Sequence, residues 1–276
     1  MRFVALGDSR TNDVARRKVV AAAVKAQPAF ILHTGDLIAN GHSQHQWDRW
    51  FTTMQPLAAK APMLVAIGNH EDNSREYYAQ LAMPTHASSP ARGYDTESFY
   101  SIDVGPIHVI ALSTEPVGSP QGSQVRWLLA DLAKARKNPA TRWIIAMGHR
   151  PPVSCGRHGD HLPAKRTWTR IFERYGVDLT LWGHDHNYQR SKPLRGDKPV
   201  ADGKAPVASG AGVTYIVTGG AGAPLYDACK DPRMAKTRKA YHYLDITVTD
   251  TRLVVKAKGI DNKTFDRFEL RKTMLE

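Results

Sequence analysis

Five short apolar runs in this 276-residue chain close on a glycine followed by a side chain that can bind a cation: Gly7-Asp8, Gly35-Asp36, Gly68-Asn69, Gly148-His149 and Gly183-His184. One such pair is an ordinary turn. Repeated after five strand-like segments, the pairs put two carboxylates, an amide oxygen and two imidazoles outside the carboxyl ends of strands, where open α/β sheets gather their ligand sites. On one sheet they would converge on one place. Glycine permits the sharp turn and the close backbone approach that such a place needs. Carboxylate and amide oxygens suit hard divalent or trivalent cations, while imidazoles suit zinc, iron and manganese, so the mixture suits two ions better than one. A carboxylate shared between ions ~3.5–4 Å apart can bridge them and support attack by hydroxide. His186, two residues past His184, adds an imidazole on the same turn. This is a loop geometry, unlike the HExxH helix of a zinc protease.

The elements that must carry these residues alternate between short apolar runs and helical patterns, which argues for parallel βαβ units rather than a sandwich of hairpins. Strands are expected at 3–6, 30–32, 63–67, 143–147 and 179–182, and an antiparallel pair at 99–104 and 107–112 around Gly105-Pro106. A helix is expected from Asp13 to Gln27, with Asn12 as N-cap and Pro28 beyond its end. Others are expected around Trp47, Trp50 and Phe51, at Val125, Leu128, Leu129 and Leu132 with their i, i+3, i+4, i+7 spacing, and near 167–175. The runs at 241–249, 253–260 and 264–270 read as strands that complete a second sheet without carrying chemistry.

Length and composition bound the rest. The chain is long enough to bury roughly three quarters of its unfolded surface, and no apolar run approaches the ~18 residues of a membrane span. It opens directly into a strand-like segment rather than a leader, so the expectation is a chain that is mature or never exported. A formal charge of +12 invites a nucleic-acid reading, but the basic residues are scattered and no aromatic-interleaved basic segment offers a stacking platform. A basic surface that attracts anionic substrates is the better reading. Cys155 and Cys229 have no CxxC spacing, which excludes a zinc ribbon or a thioredoxin-like site, and whether they pair is left open.

In order and spacing, Gly7-Asp8, Gly35-Asp36, Gly68-Asn69-His70-Glu71, Gly148-His149 and Gly183-His184-Asp185-His186 resemble the calcineurin-like metallophosphoesterases. The stretch His184-Asp185-His186-Asn187-Tyr188-Gln189-Arg190 is similar to the GHxHxYER ending of the purple acid phosphatase branch, and 214–220 to the strand that follows it. The resemblance runs from residue 3 to about 226. It implies an α/β fold of two packed mixed β-sheets flanked by helices, a four-layer α/β/β/α sandwich, as one domain over 1–276. It also implies two metal ions, with iron, manganese or zinc expected and calcium as the alternative. Asp8, Asp36 and His186 would hold one ion, and Asp36, Asn69, His149 and His184 the other, with Asp36 bridging. His70 would bind the phosphoryl group or protonate the leaving oxygen.

The implied activity is hydrolysis of an anionic phosphoester by in-line hydroxide, first as a phosphomonoesterase. The alternatives are a phosphodiesterase, including cyclic-nucleotide-type substrates, or a basic nucleic-acid or partner-binding module with a vestigial site. No specific nucleic acid and no membrane span are expected, and secretion or a periplasmic location is implied, with the cytoplasm as the alternative. Two positions depart from the pattern. Arg10 stands where many members have a ligand His, and Ala39 where the purple members have a Tyr, so no tyrosinate colour is expected and the first ion keeps three protein ligands. Arg10 is free to clamp a phosphate oxygen, since guanidinium matches phosphate geometry. Asn69, Arg150 and His158 are the other substrate-side candidates, with Arg157 and His161 in the same loop. His33 reads as a satisfied neighbour of the site, Asp185 as a turn residue, and His42, His45, His86, His108 and His242 as structural or surface. The Lys-, Pro- and Gly-rich stretch 191–212 is too long for an ordinary connection. It reads as a disordered insertion or, more sharply, as a basic flap over the site.

Overall fold

The computed structural model describes residues 1–85, 97–115, 122–203 and 206–272; His86 lies outside them. The amino-terminal third alternates β1 (Arg2–Leu6), α1 (Asp13–Val24), β2 (Ile31–His33), α2 (Gln44–Ala58) and β3 (Met63–Val65). Helix α1 starts where the Asn12 side chain accepts the Ala15 N–H at 3.0 Å, satisfying one of the orphan donors of its first turn. A short α3 (Arg75–Gln80) follows, which periodicity did not reveal because it is under two turns long. The middle runs β4 (Tyr100–Val104), β5 (Ile107–Ala111), α4 (Ser123–Lys137), β6 (Trp143–Met147), α5 (Leu162–Tyr175) and β7 (Leu179–Trp182). Then come β8 (Tyr188–Ser191), β9 (Leu194–Arg195), β10 (Lys198–Pro199), β11 (Val207–Ala208), β12 (Thr214–Thr218), β13 (Met234–Arg238), β14 (His242–Val248), β15 (Arg252–Gly259) and β16 (Thr264–Arg271).

Two seven-stranded mixed sheets result, ordered β11-β16-β15-β14-β1-β2-β3 and β13-β8-β12-β7-β6-β5-β4. Their apolar faces meet in one core that includes Phe3, Leu32, Val109, Ile145, Leu181, Ile216 and Leu244. Helices α1 and α2 cover the outer face of the first sheet through Val19, Val20, Trp47 and Trp50, and α4 and α5 cover the second through Leu128, Leu132, Trp168 and Phe172. This is the α/β/β/α sandwich. Each Leu or Phe fully buried there contributes about 1.5–3 kcal/mol.

Three expectations are corrected by this arrangement. The five glycine-ended strands do not share a sheet: β1, β2 and β3 are parallel neighbours in the first, and β6 and β7 in the second. They still converge because the two sheets stack with these carboxyl ends at a common edge. The strands beyond residue 240 do not build a second sheet either; β14 pairs antiparallel with β1 and extends the first. Finally, the described residues of 191–212 form neither a disordered insertion nor a flap. β8 leads away from the carboxyl end of β12, and the stretch then folds as the β9–β10 hairpin and as β11 beside β16, anchored by buried Leu194, Val207 and Val213. Its apolar residues sit between turn formers, so a compositional reading sees only the Lys, Pro and Gly.

His108 on β5 is buried between two carboxylates, its Nδ1 2.6 Å from Asp103 and its Nε2 2.8 Å from Asp131. Burial disfavours the charged ring, but the hydrogen bonds and charges of Asp131 and then Asp103 outweigh it and raise the pKa. A raised folded-state pKa adds stability that is fully present below the unfolded value of about 6.5 and is lost as pH rises through the folded value. Asp131→Asn should therefore lower the free energy of unfolding in urea by about 1.5–3 kcal/mol at pH 5.5. The loss should shrink at alkaline pH, and an equal loss at both would remove the ion pair from this account.

Candidate metal centre

At the shared edge, Asp8 and Asp36 follow β1 and β2, Asn69 follows β3, His149 follows β6, and His184 and His186 follow β7. Asp8, Asp36 and His184 have φ of 56°, 55° and 70°, in the left-handed region that non-glycine residues seldom occupy. Such strain costs on the order of 1 kcal/mol or more per residue and persists where surroundings over-determine it. Here they do: both Asp8 oxygens accept the His184 N–H, at 3.0 and 2.9 Å, and Asp36 Oδ1 accepts the His70 N–H at 3.0 Å.

Donor atoms gather in two groups that share Asp36. Asp8, Asp36 and His186 each offer an atom within 4.8 Å of the others, a set that could hold a metal ion. On the other side His149 Nε2 lies 3.2 Å from Asp36 Oδ1, 3.1 Å from Asn69 Oδ1 and 3.2 Å from His184 Nδ1. Hydrogen bonds to backbone carbonyls fix two of the rings: His149 Nδ1–H donates to Thr34 O and His186 Nδ1–H to Pro224 O, each at 2.8 Å. Both Nε2 atoms are thereby turned to the centre, the outer-shell arrangement that orients imidazole ligands.

The electrostatics of the unliganded donors fit a cation. Burial, and then the His149 charge, lowers His184 to about 2, and burial lowers His186 to about 4, so both imidazoles keep the neutral form whose lone pair can ligate. His149 is opposed by burial but lifted to about 9 by Asp36, while burial of Asp36 is outweighed by His149, which holds that carboxyl below its usual range. Burial pushes Asp8 up to about 8. Two fully buried carboxylates beside three imidazoles satisfy one another only in part, and an ion between them would remove the conflict. The residues therefore fit the metals implied for them.

Around this centre stand the other sequence-derived candidates. Arg10 donates from Nε to Asp36 Oδ2 at 3.3 Å, with Nη2 3.4 Å from His186 Nε2. His70 Nδ1–H donates to Ala39 O at 2.8 Å, leaving Nε2 facing Asp36 Oδ2 at 3.9 Å. Arg150 pairs with Glu115 and reaches to 3.4 Å from His184 Nε2. The exposed His158 ring lies 4.2 Å from that of His184, and His161 is the N-cap residue of α5. His33 is a satisfied neighbour: its Nδ1 accepts the Gly35 N–H and its Nε2–H donates to Ser9 Oγ, which the Trp50 indole also reaches. Asp185 accepts from the Ser154 hydroxyl and the His158 N–H, which makes it the anchor of a turn.

Sequence reasoning passed over two contributors and left a third open. Glu71, fully buried, accepts from Gly68 N at 2.7 Å, Asp36 N at 2.9 Å and Leu37 N at 2.8 Å, so it clamps the turn that presents Asp36. Its place in Gly68-Asn69-His70-Glu71 was the available signal. Tyr226 stacks on His186, with ring centroids 4.2 Å apart, and no spacing rule pointed to it. The third is the Cys155–Cys229 disulfide, which joins the loop carrying His158 to the loop carrying Tyr226. Closing a loop of 74 residues, it should contribute about 2–4 kcal/mol. Cys155→Ser and treatment with reductant should lower thermal stability to the same extent; an unchanged melting temperature would deny the clamp.

The calcineurin-like phosphoesterase family model matches residues 1–188. The chain is 36% identical over 217 residues to human acid phosphatase type 7, covering 70% of this chain and 48% of that protein. It is 30% identical over 196 residues to purple acid phosphatase 18 of Arabidopsis thaliana, covering 67% and 43%. The chain thus spans about half the length of the curated relatives it matches. Among solved structures, a purple acid phosphatase from yellow lupin seeds superposes with a TM-score of 0.80 at 19% identity, over 98% of this chain and 53% of that one. Among the described residues no helix is long and apolar enough to cross a membrane.

Proposed function

Because this chain belongs to the calcineurin-like phosphoesterase family, we propose that it hydrolyses phosphate monoesters at a dinuclear centre built on Asp36. One observation carries the reading: Asp36 turns Oδ1 to the group around His149 and Oδ2 to the side where Arg10 and His186 stand. Asp8 and His186 complete one set of ligands; Asn69, His149 and His184 complete the other. Iron, manganese or zinc bound there would neutralise phosphoryl charge and activate the attacking water.

The chain's own residues do the rest. Arg10 meets the phosphoryl oxygens with a guanidinium already aimed at the centre, and Arg150 and His158 bound the opposite side. His70, fixed through Nδ1, offers Nε2 to the leaving oxygen, the position of a general acid. Such positioning, with charge stabilisation, is most of what phosphoryl transfer needs. A disulfide persists in oxidising compartments, which supports a secreted or periplasmic protein over a cytoplasmic one.

The test compares p-nitrophenyl phosphate with bis-p-nitrophenyl phosphate on protein reloaded with iron, manganese or zinc, alongside elemental analysis. About two metals per chain and faster turnover of the monoester are expected. Faster turnover of the diester would favour a phosphodiesterase. Well under one metal per chain without turnover would leave a vestigial site.

A further inference from the structure

Beside the centre, a cavity of about 320 Å³ opens between the turns that enter α1 and α2. Thr11 and Ala39 form the wall it shares with the phosphoryl site. Arg10 donates to the Thr11 hydroxyl at 3.1 Å, and His70 donates to the Ala39 carbonyl. Whatever leaves from the phosphorus next to His70 therefore has this cavity alongside it. Asp13, Arg16, Ile38, His45, Gln46 and Arg49 line the remainder.

The charge of the cavity is one-sided. Arg16 is buried and Arg49 exposed, and both guanidiniums bind the same carboxylate, Asp13. One positive charge is left over. Arg16 spends one N–H each on Ser9 O, Thr53 Oγ1 and Asp13 Oδ1, and a guanidinium has five. Gln46 Oε1 accepts from Ala39 N and Asn40 N, which stiffens the wall. A half-enclosed guanidinium pair with one counter-charge suits an oxyanion, which it can meet bidentately.

We propose that this cavity is a specificity subsite for a second oxyanion, carboxylate or phosphate, on the leaving group of the phosphomonoester. The idea rests on the monoesterase reading above for its orientation, and on the cavity alone for its binding chemistry. Preferred substrates would carry two anionic groups, with the scissile phosphate at the metal centre and the second group against Arg49 and Arg16. Neutral alcohols would leave the cavity to water.

The experiment uses glycerol 3-phosphate, 3-phosphoglycerate and glycerol 1,3-bisphosphate, which share a three-carbon frame and differ at the far end. With metal-loaded protein, kcat/KM for at least one of the two substrates with an anionic far end should exceed that for glycerol 3-phosphate by about fivefold or more, and whichever leads tells carboxylate from phosphate. Arg49→Gln should bring the ratio near one, Arg49→Lys should restore part of it, and Lys137→Gln, a charge loss at the opposite pole, should leave it unchanged. Calorimetric titration of metal-free protein with the same compounds reads the subsite without turnover and should show the same ranking. A ratio near one in the wild type, or one indifferent to Arg49→Gln in both measurements, would overturn the subsite while hydrolysis continues. Absence of hydrolysis with the binding preference intact would overturn the monoesterase reading instead.

Discussion

Asp36→Asn is expected to cut turnover of p-nitrophenyl phosphate by about 10³-fold or more and to leave the protein folded. Asparagine keeps the shape of the side chain and tolerates the left-handed backbone at φ 55° better than most residues. What it lacks is charge and the second acceptor oxygen. One oxygen faces His149 Nε2 at 3.2 Å and the other Arg10 Nε at 3.3 Å, so an amide must present an N–H to one of two groups that need an acceptor. The bridge between the two donor sets would be lost with it. Elemental analysis should show at least one metal equivalent fewer per chain, and circular dichroism an unaltered fold. Turnover within tenfold of wild type would sink the shared-carboxylate account, whatever the metal content.

The site was legible in the sequence to the extent that it is made of strand ends. The glycine-ligand pairs after β1, β2, β3, β6 and β7 are local signals, because a strand's apolar run and the turn that stops it lie next to each other in the chain. Their division between two sheets was not legible, since pairing partners are chosen by long-range packing: β1 takes Leu244 to Thr247 as antiparallel neighbours from the far end of the chain. The same holds for the described residues of 191–212, whose order depends on Leu194 meeting Val213 and Val207 meeting Leu270. Glu71 and Tyr226 were missed for different reasons. Glu71 acts by accepting from backbone N–H groups, a role that its place in Gly68-Asn69-His70-Glu71 marks but does not specify. Tyr226 reaches His186 only after the chain has passed through β12.

The periphery of the centre is held by covalent and aromatic contacts rather than by regular structure. His158 lies against His184 and Tyr226 against His186, while Arg157 stands 5.2 Å over the Tyr226 ring. Neither loop pairs with a sheet at these residues. The disulfide supplies the constraint that a strand supplies elsewhere, so the loops that border the substrate can vary while the ligands, seated on strands, stay in place.

Gly68→Ala should lower stability by about 3 kcal/mol or more and turnover at least 10²-fold. A Cβ there would lie 2.4 Å from both Asp36 N and Asp36 Oδ1 and 2.8 Å from Glu71 Oε2. None of these can step aside cheaply. The Asp36 amide is bonded to Glu71, the Glu71 carboxylate also holds Gly68 N and Leu37 N, and all are buried. A methyl group would split this cluster, leaving N–H groups unpaired in the interior and displacing the residue that joins the two donor sets. The cause is space rather than backbone conformation, and a second glycine separates the two. Gly196, at φ 58°, has open space around its would-be Cβ, so Gly196→Ala should cost about 1 kcal/mol of left-handed strain and leave turnover within twofold. If urea unfolding and p-nitrophenyl phosphate assays show Gly68→Ala no worse than Gly196→Ala, the close approach of Gly68 to Asp36 does not hold the centre together.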